Sequence, residues 1–555
     1  MGLILLAFTA LCGMSLVQKS VTVDEFAHLP AGLSYWRTGD FRIYAHGSPL
    51  IHLLAAVPLL ASDAALPLEV GWKNRHQWQF GLEFMAANAA HYQSLFLRAR
   101  AVIVALGALL VVLVWWWARA LYGAEAGLAA AALATFNPNL MAHSRLVTND
   151  VGVTLFFLAA VAVFWRFCRR PTWPRLLAAG LVLGLALLSK FTALLLLPLL
   201  PALGLADRGL GGTGLSGRRL GLTLPLLFIV AWVTLCSGYL WQGFGTRLGD
   251  YSFQSALFQK TASLLPSSLR VPLPFDCVQG LDFLSYSNQN LYPSYLLGKT
   301  GPAAWYYFPV ALIVKTPLSA LFLIALGIGS VLLRRRFALR DEIFLLLPPF
   351  FLLAFISFYS KMDLGIRYIL PAFPFLFILA ARPFSRIGQA RRFFQAGLLL
   401  LLAGNVASNL WIFPDYLAYF NCAAGGPSRG YRVLIDSNLD WGQDLIGLKR
   451  YLDEKGVDQV CLAYFGRVDP GIYGIDYTLP QPGKKCELIA ISVNLLMGMQ
   501  EMLMDGARPV WTKPGQFDWL KTQTPVTTIG HSIWIFKPEP AGPPPPPAAG
   551  SPGSP

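Results

Sequence analysis

The chain has 555 residues, of which 55% are hydrophobic and only 13% charged, about half the ~25% charged content of a soluble globular domain. Lys and Arg outnumber Asp and Glu by 44 to 29, a formal net charge of +15. These figures exclude a soluble enzyme, a disordered chain and a coiled coil. They describe a polytopic membrane protein with a smaller polar part, whose basic excess belongs to cytoplasmic loops rather than to a nucleic-acid surface.

Apolar runs of roughly 20 residues are long enough to cross a bilayer core of ~30 Å. Eleven stretches qualify as expected spans: 2–18, 100–118, 125–142, 151–168, 175–189, 191–206, 221–241, 310–333, 342–358, 368–382 and 393–413. The first lacks a basic leader and a small-residue cleavage site, so it reads as an uncleaved span. Ser189-Lys190 alone separates two of the spans, and part of 302–317 also fits an interfacial helix. Short basic loops carry Arg119, Arg166 to Arg175, Arg208 to Arg219, Arg334 to Arg340 and Arg382 to Arg392. With eleven spans and a cytoplasmic N-terminus, all five fall on the cytoplasmic side, as the positive-inside rule requires.

The long polar segments then lie outside: 19–99, 242–301 and everything after 414. Trp36, Trp72 and Trp78 in the first of these suit helices at the membrane interface. Residues 415–537 read as a small α/β domain. Expected strands are 431–435, 457–465, 486–493 and 531–536. A helix over 440–456 places Leu445, Leu448 and Leu452 on one face, with Gly456 as its C-cap. Cys461 and Cys486 either pair across neighbouring strands or remain buried thiols. The Pro-rich tail 538–555 cannot bury a core and is expected to be disordered.

Five polar groups could carry chemistry. Asp24-Glu25, just past the first span, offers a general base and an orienting or metal-binding carboxylate; the alternative is a helix cap and a dipole partner. His143, Arg145 and Asp150 lie between two spans. Arg145 suits a phosphate, and Asp150 is either a second acid or a cap. Lys190 is a functional candidate or a snorkelling lysine. Lys361, Asp363, Arg367 and Tyr368 suit an anionic headgroup or simple anchoring, and Lys315 raises the same question. His46, with His52 nearby, is a candidate for metal or sugar phosphate, although a lone interfacial histidine is more often neither. Asp436, Asn438, Asp440 and Asp444 lack the glycine and glutamate of a calcium loop, so turn and capping roles are expected. All five groups fall on the same expected side of the membrane, which suits a phosphate-bearing lipid substrate.

VDEFAHLPAGLSYWRTGDF, HSRLVTNDVGVTLFF, LLSKFTALLLLP, YYFPVALIVKTPL and GIRYILPAFPFL, in that order over residues 20–420, resemble the polyprenyl-phosphate-dependent glycosyltransferases of the GT-C fold. The resemblance is to glycosyltransferase family 39 and its bacterial relatives, which include protein O-mannosyltransferases and the lipid A aminoarabinose transferase. It implies an α-helical polytopic membrane protein of the GT-C fold, with about eleven spans over residues 1–414 and the extracytoplasmic α/β domain after them. By resemblance Asp24 is the catalytic base, Glu25 orients the acceptor and Asp150 is the second acid. Arg145, Lys190 and Arg367 hold the lipid phosphate, with His46, His143, Lys361 and Tyr368 as further substrate contacts. Where the family often has His-Pro-Pro-Leu, this chain has His46-Gly47-Ser48-Pro49-Leu50.

The implied reaction moves a hexose or pentose from a polyprenyl-phosphate donor, such as an undecaprenyl phosphate sugar, to a protein, lipid or glycan acceptor, with inversion. It takes place on the periplasmic face of a bacterial inner membrane. No nucleotide site is needed. A divalent metal fits the chemistry, but no ligand set in the sequence demands one. The alternatives are a lipid-linked glycan transporter or flippase without transfer chemistry, and a glycan-binding scaffold.

Overall fold

The computed structural model describes residues 1–212, 214, 216–289, 293–333, 339–483, 486–505 and 508–537. The tail expected to be disordered, and Arg334 to Arg336 of one basic loop, lie outside the described residues.

Each of the eleven apolar stretches is helical over most of its length. Among the described residues six helices are long and apolar enough to cross a membrane: Ala89–Tyr122, Asn149–Arg169, Phe191–Gly209, Gly217–Gly238, Ile366–Gln389 and Arg392–Ile412. Tyr307–Lys315 and Leu318–Leu332 meet the same length and hydropathy criteria together as one broken span, bent by 112°. Pro317 accounts for the break, because its ring disfavours helix in the residue before it and it has no amide to donate. The other four stretches form shorter apolar helices: Gly2–Leu16, Ala124–Thr135, Trp173–Ser189 and Ile343–Tyr359. The Asn149–Arg169 and Ile366–Gln389 helices are central, 72% and 83% buried over their apolar windows. Gly217–Gly238 and Arg392–Ile412 are peripheral, at 28% and 17%.

The first polar segment folds over one end of this bundle. Its Val23–Thr38 helix starts with Thr22 as N-cap in a capping box with Glu25, which satisfies two otherwise orphaned amides. It packs closely on Leu50–Ala56. A side chain at Gly32 would place its Cβ 2.1 Å from the His52 carbonyl oxygen, so only glycine fits.

In the C-terminal part a five-stranded sheet runs in the order Asp476–Thr478, Gln459–Ala463, Ile489–Ser492, Ile533–Phe536, Thr527–Ile529. The first three strands are parallel and the last two join antiparallel. Leu445, Leu448 and Leu452 of the Leu445–Lys455 helix bury against Val460, Leu462, Ile533 and Ile535, and Gly456 ends the helix in the left-handed conformation. The expected strand 431–435 is not formed. Residues Pro427–Arg432 make a 3-10 turn after Gly425-Gly426, and Leu434 and Ile435 are buried outside the sheet.

Cys461 and Cys486 form a disulfide. It closes a loop with a sequence separation of 25, for which chain entropy gives about 3.5 kcal/mol. A Cys461→Ser/Cys486→Ser protein is therefore expected to lose roughly that much stability in denaturant titration of the C-terminal part. A loss below about 1 kcal/mol would contradict the entropic account.

Candidate active site

Two of the three acids given catalytic roles from sequence, Asp24 and Asp150, occupy equivalent positions. Asp24 is the second residue of Val23–Thr38 and Asp150 the second of Asn149–Arg169, and Thr22 and Thr148 are the N-caps. Neither acid is itself the cap. Both helix N-termini open on one cavity of about 320 Å³, lined by Asp24, His46, Asp150, Lys190, Arg367 and Tyr368 together with His28, Tyr44, Trp78 and Phe283. Residues from five distant parts of the chain meet there.

Each acid is paired with a cation. Arg367 Nη1 donates to Asp24 Oδ2 at 2.6 Å, and Lys190 Nζ donates to Asp150 Oδ1 at 2.7 Å. The second oxygen of Asp150 accepts from Thr148 Oγ1 at 3.0 Å, and the residue is buried. The Asp24 side chain is 21% exposed, and only its Oδ2 is engaged among the described residues. Arg367 also lies over Trp441 at 4.4 Å and Lys190 over Tyr368 at 4.9 Å, so aromatic faces hold both cations toward the cavity. Two carboxylates balance two cations, and two helix N-termini add positive potential. Such a cavity favours an anion that can displace the carboxylates from their partners.

His28 lies one helical turn after Asp24. Its Nδ1 is 2.8 Å from the Val147 carbonyl and its Nε2 3.0 Å from the Tyr44 hydroxyl. A carbonyl only accepts, so Nδ1 carries the hydrogen and Tyr44 donates to Nε2. Burial lowers the His28 pKa, and the Asp24 charge opposes this only in part, which keeps the ring neutral. His46 stacks on Phe283 with ring centroids 3.4 Å apart, and burial pushes its pKa down to about 4.

Glu25, Arg145, His143, Lys361 and Lys315, also raised from sequence, lie elsewhere. Glu25, adjacent to Asp24, points about 100° away around the helix and is fully buried. Its oxygens accept from Arg100 Nε at 2.8 Å, Arg100 Nη2 at 2.6 Å, the Val147 amide at 2.9 Å and Thr22. Burial raises its pKa, but Arg100 and these hydrogen bonds outweigh that and leave it below the usual glutamate value. Arg145 is buried, with Nη1 3.3 Å from the Ser15 carbonyl and its guanidinium over Tyr416. His143 is buried behind Asp150, with Nδ1 3.7 Å from its Oδ2. Lys361 is exposed, and its backbone amide donates to Asn288. Lys315 is buried and donates to the Leu417 and Asn438 carbonyls at 2.7 and 2.6 Å, a tie between segments. Among the described residues no three His, Cys, Asp or Glu side chains come together as a metal site.

The C-terminal part packs behind the cavity wall through residues 436–444. Trp441 covers Arg367, and Asn438 accepts from the Ile366 amide at 3.0 Å. In the same segment burial raises the carboxyl of Asp436 to about 6 and that of Asp440 to about 8. For Asp440 the folded protein thus holds a proton that the unfolded chain releases near pH 4. Between those values folding is linked to proton uptake, and stability falls as pH rises toward 8. An Asp440→Asn protein is expected to show a flatter stability curve than wild type from pH 5 to 8, read by thermal unfolding in detergent. Parallel curves would show that Asp440 is not the source of the slope.

Next to the cavity an apolar groove of about 370 Å³ runs between Leu187, Leu194, Phe228, Trp232 and Leu281. It shares Phe191 with the cavity.

The glycosyltransferase resemblance read from the sequence is matched by a family model. Residues 92–236 match the family described as dolichyl-phosphate-mannose-protein mannosyltransferase. The matched stretch includes Arg100, Asp150 and Lys190 but not Asp24 or Arg367. Among solved structures, the chain is similar to ArnT from Cupriavidus metallidurans bound to undecaprenyl phosphate. The identity is 13% over 96% of this chain and 97% of that one, with a TM-score of 0.48. It is also similar to the oligosaccharyltransferase AglB from Archaeoglobus fulgidus in complex with an inhibitory peptide and a dolichol-phosphate, at 12% identity over 88% and 69% of the two chains and a TM-score of 0.46. No curated protein matches significantly.

Proposed function

We propose that the protein is a membrane glycosyltransferase that moves a sugar from a polyprenyl-phosphate donor to an acceptor hydroxyl, with the cavity as its active site on the extracytoplasmic face. One observation carries the reading: the Asp24–Arg367 and Asp150–Lys190 pairs face one cavity that continues into an apolar groove. The family match over residues 92–236 supports the same class. The cavity suits a sugar phosphate and the groove the start of an isoprenoid tail.

The donor phosphate competes with the two carboxylates for Arg367 and Lys190, by charge-assisted hydrogen bonds. Asp24, released and partly exposed, then takes the proton of the acceptor hydroxyl. The acceptor oxygen bonds to the anomeric carbon as the carbon–oxygen bond to phosphate breaks. Its electron pair leaves with the polyprenyl phosphate, whose charge Arg367 and Lys190 stabilise. A single displacement inverts the anomeric centre. Trp78 and the His46–Phe283 stack give the sugar ring flat faces. Asp150, with both oxygens already bonded, fixes Lys190, and Glu25 fixes the loop that carries Val147.

The test is release of free polyprenyl phosphate from a panel of undecaprenyl phosphate sugars, with cell-envelope extract as acceptor. Wild type is expected to release lipid phosphate from at least one donor. Lys190→Met is expected to bind that donor at least tenfold more weakly. Donor bound tightly but recovered intact, with all donors and acceptors tried, would shift the reading to transport of a lipid-linked glycan.

A further inference from the structure

The Asn149–Arg169 helix carries a second charged site at its other end, roughly 30 Å from Asp150 at 1.5 Å per residue. A cavity of about 140 Å³ there is lined by Trp165 and four arginines: Arg166, Arg169, Arg170 and Arg175. Arg169 is balanced. It donates to Asp207 at 2.6 Å and pairs with Asp341 at 2.6 Å, while Asp207 also accepts from Arg340 at 2.8 Å. Two cations thus answer two acids. Arg166, Arg170 and Arg175 have no carboxylate within 4 Å among the described residues. Arg166 and Arg175 are nonetheless held in place. Arg166 lies over Trp116 at 5.0 Å, and Arg175 Nη1 donates to the Arg170 carbonyl at 2.9 Å.

Three guanidiniums without counter-charge around so small a cavity repel one another, and an anion placed between them removes that cost. Planar guanidinium forks match the oxygens of a phosphate group. The surroundings identify its source. The cavity lies at the end of a helix long and apolar enough to span a bilayer, in the turn to the Trp173–Ser189 helix. Trp173 is 68% exposed there, and Leu177 and Leu181, one and two turns further along the same face, are about half exposed. Tryptophan settles at headgroup depth, so the apolar ridge below it runs toward the hydrocarbon.

We propose that this cavity binds the phosphodiester headgroup of an anionic phospholipid, with an acyl chain along Trp173, Leu177 and Leu181. Basic pockets between spans are suited to such headgroups. The site is separate from the outer cavity and does not depend on the glycosyltransferase reading.

The experiment takes the full chain, purified and delipidated in neutral detergent. Native mass spectrometry counts bound lipid, and thermal unfolding is followed with phosphatidylglycerol, phosphatidylcholine or inorganic phosphate added. One phosphatidylglycerol is expected to bind at least tenfold more tightly than phosphatidylcholine and to raise the unfolding temperature, while millimolar phosphate does neither. Arg166→Gln/Arg170→Gln/Arg175→Gln is expected to reduce phosphatidylglycerol retention to the phosphatidylcholine level. Lys190→Met, at the outer cavity, should retain it. Equal retention of the two lipids by wild type, or full retention by the triple glutamine variant, overturns the site. Phosphate alone giving the full thermal shift overturns the lipid assignment in favour of a soluble anion. Should the triple variant not fold, Arg170→Gln and the wild-type lipid comparison still decide.

Discussion

Asp24→Asn is expected to lower turnover by about 10²- to 10⁴-fold, the usual worth of a general base, without weakening donor binding. The two parts of this expectation have separate causes. Asparagine cannot take the proton of the acceptor hydroxyl, so kcat falls. On the proposed mechanism, however, the donor phosphate has to draw Arg367 away from Asp24 Oδ2, 2.6 Å distant, in the wild type. The amide holds Arg367 less strongly, so donor affinity should stay level or rise. The fold should survive, because asparagine keeps an oxygen that accepts from Arg367, and Arg367 also donates to the Leu364 carbonyl at 3.1 Å and lies over Trp441. Steady-state release of polyprenyl phosphate, with donor binding measured separately, checks both parts. A fall in kcat together with a large rise in donor Kd would mean that Asp24 organises the phosphate site instead of serving as base. Unchanged turnover would remove Asp24 from the chemistry, and attention would pass to Tyr44, whose hydroxyl oxygen stands at the cavity wall hydrogen-bonded to His28.

Much of this arrangement could be read from residue order, and the limits of that reading have physical causes. Asp24, Asp150, Lys190 and Arg367 each follow or precede an apolar run, where a charge is conspicuous, and the structure brings these four together. Adjacency misled at Glu25. Consecutive residues on a helix diverge by about 100°, so once 23–38 is read as helix, Asp24 and Glu25 cannot both face one cavity. The same geometry pointed to His28, four residues on and on the Asp24 side. Arg145 looked like a phosphate ligand because it stands in the same loop as Asp150. A tight turn sends it instead toward Ser15 and Tyr416, and spacing alone does not encode such a turn. Trp441 carried no signal, because its contact with Arg367 crosses from the C-terminal part to a distant helix. The stretch 431–435 has strand-like composition, but strand preference largely reflects its neighbours. Here Leu434 and Ile435 found a buried place without a sheet partner.

The largest expected loss of stability is at Arg100, a residue whose only sequence signal was a charge at the start of an apolar helix. Its side chain is fully buried and its donors are spread over three segments. Nε and Nη2 reach Glu25. Nη1 donates to the Leu16 and Lys19 carbonyls at 3.1 and 2.7 Å, and Nη2 also to the Ser20 carbonyl at 2.8 Å. Glu25 in turn holds the Val147 amide, next to the loop that ends in Asp150. Arg100→Met would leave a buried carboxylate without its counter-charge and the Ser20 carbonyl without a donor, at a cost of about 3–5 kcal/mol. Replacing both partners of a simple buried ion pair with apolar residues often restores stability. That should not happen here. In a Glu25→Leu/Arg100→Met protein the Ser20 carbonyl and the Val147 and Thr22 amides would all lack partners, while the Lys19 carbonyl would keep Gln93 and the Leu16 carbonyl the Lys19 amide. The double variant is therefore expected to remain at least about 2 kcal/mol below wild type, each stranded group costing roughly 1–3 kcal/mol. Denaturant titration in mixed micelles measures both proteins on one scale. Recovery of wild-type stability by the double variant would reduce the Arg100 cluster to an ordinary ion pair. The expected deficit, with loss of donor binding at the distant Lys190, would mean that Arg100 and Glu25 hold the two acid-bearing helix N-termini in the register the cavity requires.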